Sequence, residues 1–284
     1  MKPCLHPSIV TSESLEGYLD IAKRSGYRVV DVDFRWIAER VQARGLGYVR
    51  DLFETSGIEL ASFGLPVDVY GDEAHFQATL QDLVQVAETA LCLGATRAVT
   101  WLWPSVDERP IPYGSRLARR LRACADALSA FGIRLGLEFV GPHHLRGKRY
   151  PFVLDLNDLR AYLEAIGSPS AGILLDSYHW YTAELSVEDI LALKAHEIAH
   201  VHINDATLPP HEAHDQERCL PGDGQIDLLG FVSALDRIGY TGPLSLEVLH
   251  KAPLEGSDEG IARRMHDTLT RLITNAREES IHRG

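Results

Sequence analysis

GILLDSYHWY, residues 172–181, combines an apolar run with two residues of chemical interest: Asp176 at the end of the run and His179 three positions later. A short apolar run of this kind predicts a strand covered on both faces, as strands of parallel sheets usually are. Two interpretations of its end are open. The strand runs into a polar turn, or its tip carries a metal ligand. Asp176 alone does not distinguish them.

Seven further segments have the character of strands, and longer segments of helical apolar periodicity alternate with them. The eight predicted strands are 2–6, 28–33, 58–64, 96–102, 133–139, 171–176, 198–204 and 243–248. The eight predicted helices are 12–25, 35–56, 73–93, 115–131, 155–166, 186–196, 227–238 and 258–277. Plausible helix N-caps are Ser12, Asp155 and Ser186, and glycines that suit C-caps are Gly26, Gly57, Gly94, Gly132, Gly167 and Gly239.

Eight strand–helix alternations predict one α/β domain over residues 1–284, a closed parallel (β/α)8 TIM barrel. A doubly wound open sheet is the alternative. Its first strand should lead into a glycine-rich phosphate turn, whereas the first strand here ends at LHPS (5–8). The barrel is therefore favoured. It places the active site at the C-terminal ends of the strands.

Composition limits the class of protein. The formal net charge of −12 argues against a protein that tracks nucleic acid, because such proteins usually present a basic face. The sequence has no apolar run of about 18 residues, so it predicts no membrane span. The N-terminus lacks the apolar core of a signal peptide. The four cysteines are scattered without a C-x-x-C pair. We therefore expect a cytoplasmic protein with reduced thiols.

Acidic and imidazole side chains stand at the ends of the last four predicted strands. They are Glu138, Asp176, His202 and Glu247. Each has an ordinary interpretation alone: an ion pair with arginine, a helix cap, or a satisfied core histidine, as for His200. Together, at one end of a barrel, they predict a site for one divalent cation, because unpaired buried charge is costly. Three oxygens and one nitrogen suit Mn²⁺, Mg²⁺, Co²⁺ or Zn²⁺.

Glu138 ends the fifth predicted strand, and the other three residues lie among the motifs LLDSYH (174–179), HVHIND (200–205), LPGDGQID (220–227) and GPLSLEV (242–248). With them the sequence resembles the sugar phosphate isomerase/epimerase superfamily, the xylose isomerase-like TIM barrels. The resemblance spans most of the chain and is densest from 133 to 248. It implies an isomerase or epimerase acting on a sugar or sugar-like polyol or keto acid through a metal-bound enediolate. Mn²⁺ is the expected cation.

The resemblance also implies roles for individual residues. Glu138 and Glu247 would be metal ligands that also remove and return the substrate proton, while Asp176 and His202 would be ligands only. His179 matches a histidine that binds the substrate oxygen next to the metal. Relatives are commonly dimers or tetramers, so a homodimer or homotetramer is expected.

Two aromatic residues and one arginine are further candidates for substrate binding. Trp101 and Trp103, near the end of the fourth strand, could form an apolar wall for a sugar. Ketose epimerases of this group usually carry an arginine six residues after the metal histidine, where this sequence has Leu208. Arg218, in the long loop that follows, is the candidate replacement.

The loop after the fifth strand, GPHHLRGKRYP (141–151), also departs from the family pattern. It is basic within an acidic chain, through His143, His144, Arg146, Lys148 and Arg149. One interpretation is a solvated lid. The other is a clamp for a phosphate or carboxylate group of the substrate, which arginine suits.

Three alternatives to an isomerase are open. A lyase, of the inosose or 3-dehydroshikimate dehydratase type, would expel a β-hydroxyl from the same enolate. A metal-binding subunit would be active only with a partner chain. An apurinic endonuclease would need extra histidines at the ends of strands three and four, which read FGLPVD (63–68) and TWLWPS (100–105). The nuclease is the least favoured.

Overall fold

The barrel predicted from the sequence is present. The computed structural model describes residues 1–12, 14–251 and 254–283, with side chains of the last helix through Glu279. Eight parallel strands form a closed barrel, each pairing with its neighbours in chain order. Numbered in chain order, they are β1 Lys2–Leu5, β2 Val29–Val32, β3 Glu59–Gly64, β4 Arg97–Leu102, β5 Arg134–Phe139, β6 Ala171–Asp176, β7 Ile198–Ile203 and β8 Pro243–Leu246. Strands β1 and β8 pair in parallel, starting with Lys2 opposite Pro243, and this pairing closes the barrel.

Helices lie between and after the strands, as expected for this architecture. They are α1 Leu15–Arg24, α2 Phe34–Arg44, α3 Leu46–Ser56, α4 Glu73–Cys92, α5 Pro110–Ser129, α6 Leu156–Ile166, α7 Ser177–Thr182, α8 Val187–Leu191, α9 Leu228–Arg237 and α10 Asp258–Arg283. The predicted glycine C-caps all adopt positive φ, which an L side chain would resist. Among the described residues, no helix has both the length and the apolar character needed to cross a bilayer.

Several predicted helices differ from the structure in their bounds, and the last, predicted as 258–277, continues to Arg283. The predicted helix 35–56 is two helices, α2 and α3, because Gly45 takes φ +83° between them. The predicted helix 115–131 begins earlier, with Pro110 in its first turn, where proline is tolerated. The predicted helix 186–196 ends at Leu191 and is followed by a short 3₁₀ turn, Ala195–Glu197.

Three helix N-termini test the caps expected from the sequence. Helix α1 is capped by Ser14, whose hydroxyl accepts from the Gly17 amide, so the prediction of Ser12 as the cap was wrong. Asp155 caps α6, as predicted, and accepts from two backbone amides. Ser186 caps α8, as predicted, and its own amide donates to Asp189 at 2.7 Å.

Candidate active site

Four side chains from the ends of β5 to β8 meet at the mouth of the barrel. One donor atom from each of Glu138, Asp176, His202 and Glu247 lies within 4.8 Å of the others. His202 Nδ1 is 3.6 Å from Glu138 Oε1, 3.9 Å from Asp176 Oδ2 and 3.3 Å from Glu247 Oε2. Ligands held at about 2.1 Å from one ion are at most about 4.2 Å apart, so these three pairs have the spacing of a shared cation.

Among the described residues, three atoms of this cluster are buried without a hydrogen-bond partner: Glu138 Oε1 and both ring nitrogens of His202. Buried polar atoms are nearly always paired, so such atoms indicate a missing ligand. Burial disfavours the imidazolium, but Glu247 and Glu138 outweigh it and raise the pKa of His202 well above its usual range. The field that attracts a proton to this ring would also attract a divalent cation. The donor set therefore fits a metal ion.

Asp176 is held by the chain that follows it. Its Oδ1 accepts from the Tyr178 amide at 2.6 Å, which caps helix α7, and from Asn204 Nδ2 at 3.0 Å. Its Oδ2 accepts from Arg218 Nη1 at 2.8 Å. Burial opposes ionisation, yet Arg218 and His179 lower the pKa of Asp176. Both oxygens of this carboxylate are thus engaged, and only Oδ2 faces His202.

The two glutamates are arranged differently from Asp176. Glu138 turns Oε1 to His202, while its Oε2 lies 3.7 Å from His179 Nε2. Glu247 turns Oε2 to His202, while its Oε1 lies 3.6 Å from His6 Nε2. Each glutamate therefore has one oxygen on the cluster and one directed elsewhere. Burial opposes ionisation of Glu247, but His202 and Arg218 hold its pKa well below the usual range.

Arg218 reaches the cluster because its loop is fastened to two strand ends. The Arg218 amide donates to the Leu249 carbonyl, and Cys219 and Asp205 exchange backbone hydrogen bonds. The side chain is 2% exposed, and Nη1 donates to both Asp176 Oδ2 and Glu247 Oε2 at 2.8 Å. Leu208, at the position where an arginine was expected, is 38% exposed. Arg218 thus lies in the cluster and Leu208 on the surface.

His179 lies on helix α7, close behind Asp176. Its Nδ1 accepts from the Gly141 amide at 3.3 Å. Its Nε2 lies 3.7 Å from Glu138 Oε2 and 3.3 Å from Arg218 Nη2. A Cβ at Gly141 would lie 2.5 Å from the His179 carbonyl oxygen, so only glycine lets the two segments approach.

A cleft of about 690 Å³ opens beside the cluster. Its floor includes Glu138, His202 and Glu247, but its walls come mainly from the ends of β1 to β4. Those walls are largely apolar, with Phe34, Phe63, Leu65, Pro66 and Val99. Trp101 stands at the rim and is 47% exposed. The first half of the barrel therefore supplies the walls, and the second half supplies the donor cluster.

The basic loop after β5 does not reach this cleft. None of its five basic side chains is among the described residues that line it. Arg146 donates twice to the Gly141 carbonyl, at 3.1 and 2.5 Å, and His144 stacks on His214 at 4.3 Å. Lys148 lies 5.2 Å above the ring of Trp103, which packs edge-on against Trp101. The interpretation as an anion clamp is therefore not supported by the geometry.

The sequence predicts no role in the site for four residues that the structure places there. Asn204 holds Asp176, and Asp205 accepts from the Gly222, Gly224 and Ile226 amides, which fixes the loop after β7. Asp31 lies below the cluster and pairs with His200 at 2.9 Å. His6 ends β1. The motifs HIND and LHPS contained three of them, but a single sequence gives no sign of which polar residue near a strand end turns inward.

The closed barrel and its donor cluster define a class, the (β/α)8 proteins whose strand ends are equipped to bind a divalent cation. More narrowly, the chain belongs to the xylose isomerase-like TIM barrel family, whose sequence model matches residues 19–271.

Individual relatives agree with this assignment. The structure of a xylose isomerase domain protein from Alicyclobacillus acidocaldarius subsp. acidocaldarius is 46% identical, with a TM-score of 0.95 over 98% of this chain and 99% of that one. Inosose isomerase from Bacillus velezensis is 26% identical over 255 residues, covering 87% of this chain and 88% of the relative. The IolI protein, solved with a bound zinc atom, shares the fold at 21% identity, with a TM-score of 0.83 over 97% and 99% of the two chains.

Proposed function

We propose that this protein is a divalent-metal-dependent isomerase or epimerase that moves a proton at a carbon next to the carbonyl of a sugar or sugar-like compound. The observation that carries the proposal is the division of oxygens on Glu138 and Glu247. One oxygen of each faces the cluster and the other is directed away from it. A carboxylate so arranged can bind a cation and still exchange a proton.

Glu138, Asp176, His202 and Glu247 are the residues that would hold the cation. A bound divalent cation would polarise the substrate carbonyl and stabilise charge that develops on its oxygen. Mn²⁺ is our first choice, and Zn²⁺, Mg²⁺ and Co²⁺ suit the same donors. The related IolI protein was solved with a bound zinc atom, which supports the proposal of a divalent ion here.

Proton transfer falls to the two glutamates. One takes the proton from the carbon, and the other returns a proton to the same or the neighbouring carbon. Asp176 is a ligand only, because its Oδ1 is already engaged by Tyr178 and Asn204. His179 and Arg218 lie beside the cluster, although they are not among the described residues that line the cleft, and we propose that they bind substrate oxygens there. Trp101, at the rim, would cover an apolar face of the substrate.

The cleft favours an uncharged substrate. Arg35 is the one arginine or lysine among the described residues that line it, and its side chain is 85% exposed and paired with Asp33 at 2.5 Å. A phosphate or carboxylate would find no free buried cation there. An inosose or a free ketose fits this chemistry better than a phosphorylated sugar, and inosose is the compound named for the Bacillus velezensis relative.

We also propose a cellular location, a domain organisation and an oligomeric state. A cytoplasmic location is supported by four cysteines that are all free thiols. A single domain over residues 1–284 and a homodimer or homotetramer are further proposals. The last rests on the family resemblance alone.

The test is incubation of the Mn²⁺-loaded protein with inosose and with free ketoses in deuterated water. Incorporation of solvent deuterium at a carbon next to the carbonyl, without loss of water, supports the isomerase. A new conjugated ultraviolet band with release of water would instead establish the lyase. No reaction with any compound, in protein shown to hold the metal, would point to a binding subunit.

A further inference from the structure

His6 is a histidine at the mouth of the barrel that neither the family resemblance nor the proposed chemistry uses. It directly follows β1 and lines the cleft, and its side chain is 23% exposed. The Ser8 amide donates to its Nδ1 at 3.1 Å. A backbone amide can only donate, so Nδ1 must be without a proton. The neutral ring therefore carries its proton on Nε2.

The turn that holds His6 is fastened to the segment that holds Glu247. Ser8 Oγ accepts from the Val248 amide at 2.9 Å, and the Ser8 carbonyl lies 3.2 Å from His250 Nε2. His6 Nε2 consequently lies 3.6 Å from Glu247 Oε1, the oxygen that is turned away from the cluster. This separation exceeds the usual hydrogen-bond length, so Glu247 does not satisfy the Nε2 donor.

We propose that His6 is a catalytic residue whose Nε2–H donates a hydrogen bond to a substrate hydroxyl oxygen beside Glu247. This role rests on the proposed function, because it needs a polyhydroxylated substrate in the cleft. An oxygen can lie about 2.8 Å from Nε2 while the neighbouring carbon meets Glu247 Oε1. His6 keeps its proton throughout. It orients the substrate and fixes which carbon the glutamate reaches.

A role for His6 as an additional metal ligand is the competing interpretation, because its ring nitrogen also approaches His202 and Glu247. Ligation through Nε2 would require the proton to move to Nδ1. There it would meet the hydrogen of the Ser8 amide, which lies 3.1 Å away. The backbone of the turn therefore selects the donor form of the ring and disfavours the ligand form.

Two variants separate these roles. His6→Phe keeps a flat ring and removes the donor, whereas His6→Gln keeps an N–H donor at a similar reach. We expect His6→Phe to lower kcat/KM for the deuterium-exchange substrate on the order of 10²-fold, and His6→Gln to restore much of it. The Mn²⁺ dissociation constant of both variants, measured by calorimetry, should stay within about threefold of the wild-type value, since loss of a metal-supporting residue costs about 10-fold or more. Circular dichroism verifies that each variant folds.

A second measurement does not depend on turnover. The nitrogen-15 spectrum of the His6 ring in the wild-type protein should show Nε2 protonated and Nδ1 unprotonated at neutral pH. The inference is overturned by the opposite tautomer, by wild-type kcat/KM in His6→Phe, or by Mn²⁺ binding weakened more than about tenfold. Wild-type protein that exchanges no substrate proton at all would contradict the proposed function instead, which is a different result.

Discussion

Arg218 and Asp176 form a buried ion pair in which Nη1 donates to Oδ2 at 2.8 Å, although 42 residues separate them in the sequence. The same Nη1 donates to Oε2 of Glu247. Burial disfavours the charged guanidinium, but Asp176 and Glu247 raise the pKa of Arg218 well above its usual range. One cation of the chain therefore offsets part of the repulsion among the carboxylates at the mouth of the barrel.

Replacing Arg218 with methionine should destabilise the protein when metal is withheld by a chelator. Removing one partner of a buried ion pair costs about 3–5 kcal/mol, because the remaining charge is left uncompensated. Urea unfolding would measure the loss. Arg264→Met is the matched control, since Arg264 is exposed and pairs with Asp223 at 3.4 Å. Equal stability of the two variants would refute this account of Arg218.

Glu247→Gln should lower turnover by about 10²–10⁴-fold, because the amide cannot accept the substrate proton. Solvent deuterium exchange into the substrate is the appropriate measurement. Glu217→Gln provides the control on the neighbouring loop, where Glu217 pairs with Lys251 at the surface. Near-wild-type exchange in Glu247→Gln would remove Glu247 from the acid/base pair.

Mn²⁺ should raise the stability of the protein, and a chelator should reverse the effect. A ligand that binds only the folded state contributes about 2.7 kcal/mol at 100 times its dissociation constant. Thermal unfolding with and without Mn²⁺ measures this. His202→Asn should abolish the increase, whereas His196→Asn, at an exposed position near the start of β7, should retain it. An increase that persists in His202→Asn would place the ion elsewhere.

Asp31→Asn should cost stability on the order of 3 kcal/mol at neutral pH, because the buried carboxylate accepts hydrogen bonds from Ser62 and Ser245 and lies 2.9 Å from His200 Nε2. Burial opposes ionisation of Asp31, but His200 lowers its pKa strongly. A carboxyl whose pKa falls on folding stabilises the protein above its unfolded value of about 3.9 and loses that contribution as the pH falls.

The stability difference between the wild-type protein and Asp31→Asn should therefore shrink as the pH is lowered through and below about 4. Denaturant unfolding at a series of pH values gives this curve. Asp20→Asn serves as the reference, since Asp20 pairs with Arg24 at the surface at 3.0 Å. A difference that grows on acidification would contradict the assigned sign.

The strands and the donor cluster were predictable because they depend on local pattern and barrel geometry. Apolar runs that end in an acidic residue mark Glu138 and Asp176, and the fold brings strand ends together. The break at Gly45 was missed because both flanking segments have helical periodicity. Helix α7 was missed because its six residues are too few for a periodic signal. Arg218 turns inward because its loop pairs with segments that are distant in the sequence, and no local sequence pattern reveals such pairing.

The cleft walls come mainly from β1 to β4, whereas the donor cluster comes from β5 to β8. This division affects how the substrate specificity of such an enzyme can change. Residues such as Phe34, Phe63 and Trp101 can vary without altering any donor atom of the cluster. New specificities could therefore arise in evolution, or be sought in a laboratory library, by diversifying one half of the barrel while the chemistry of the other half is inherited intact.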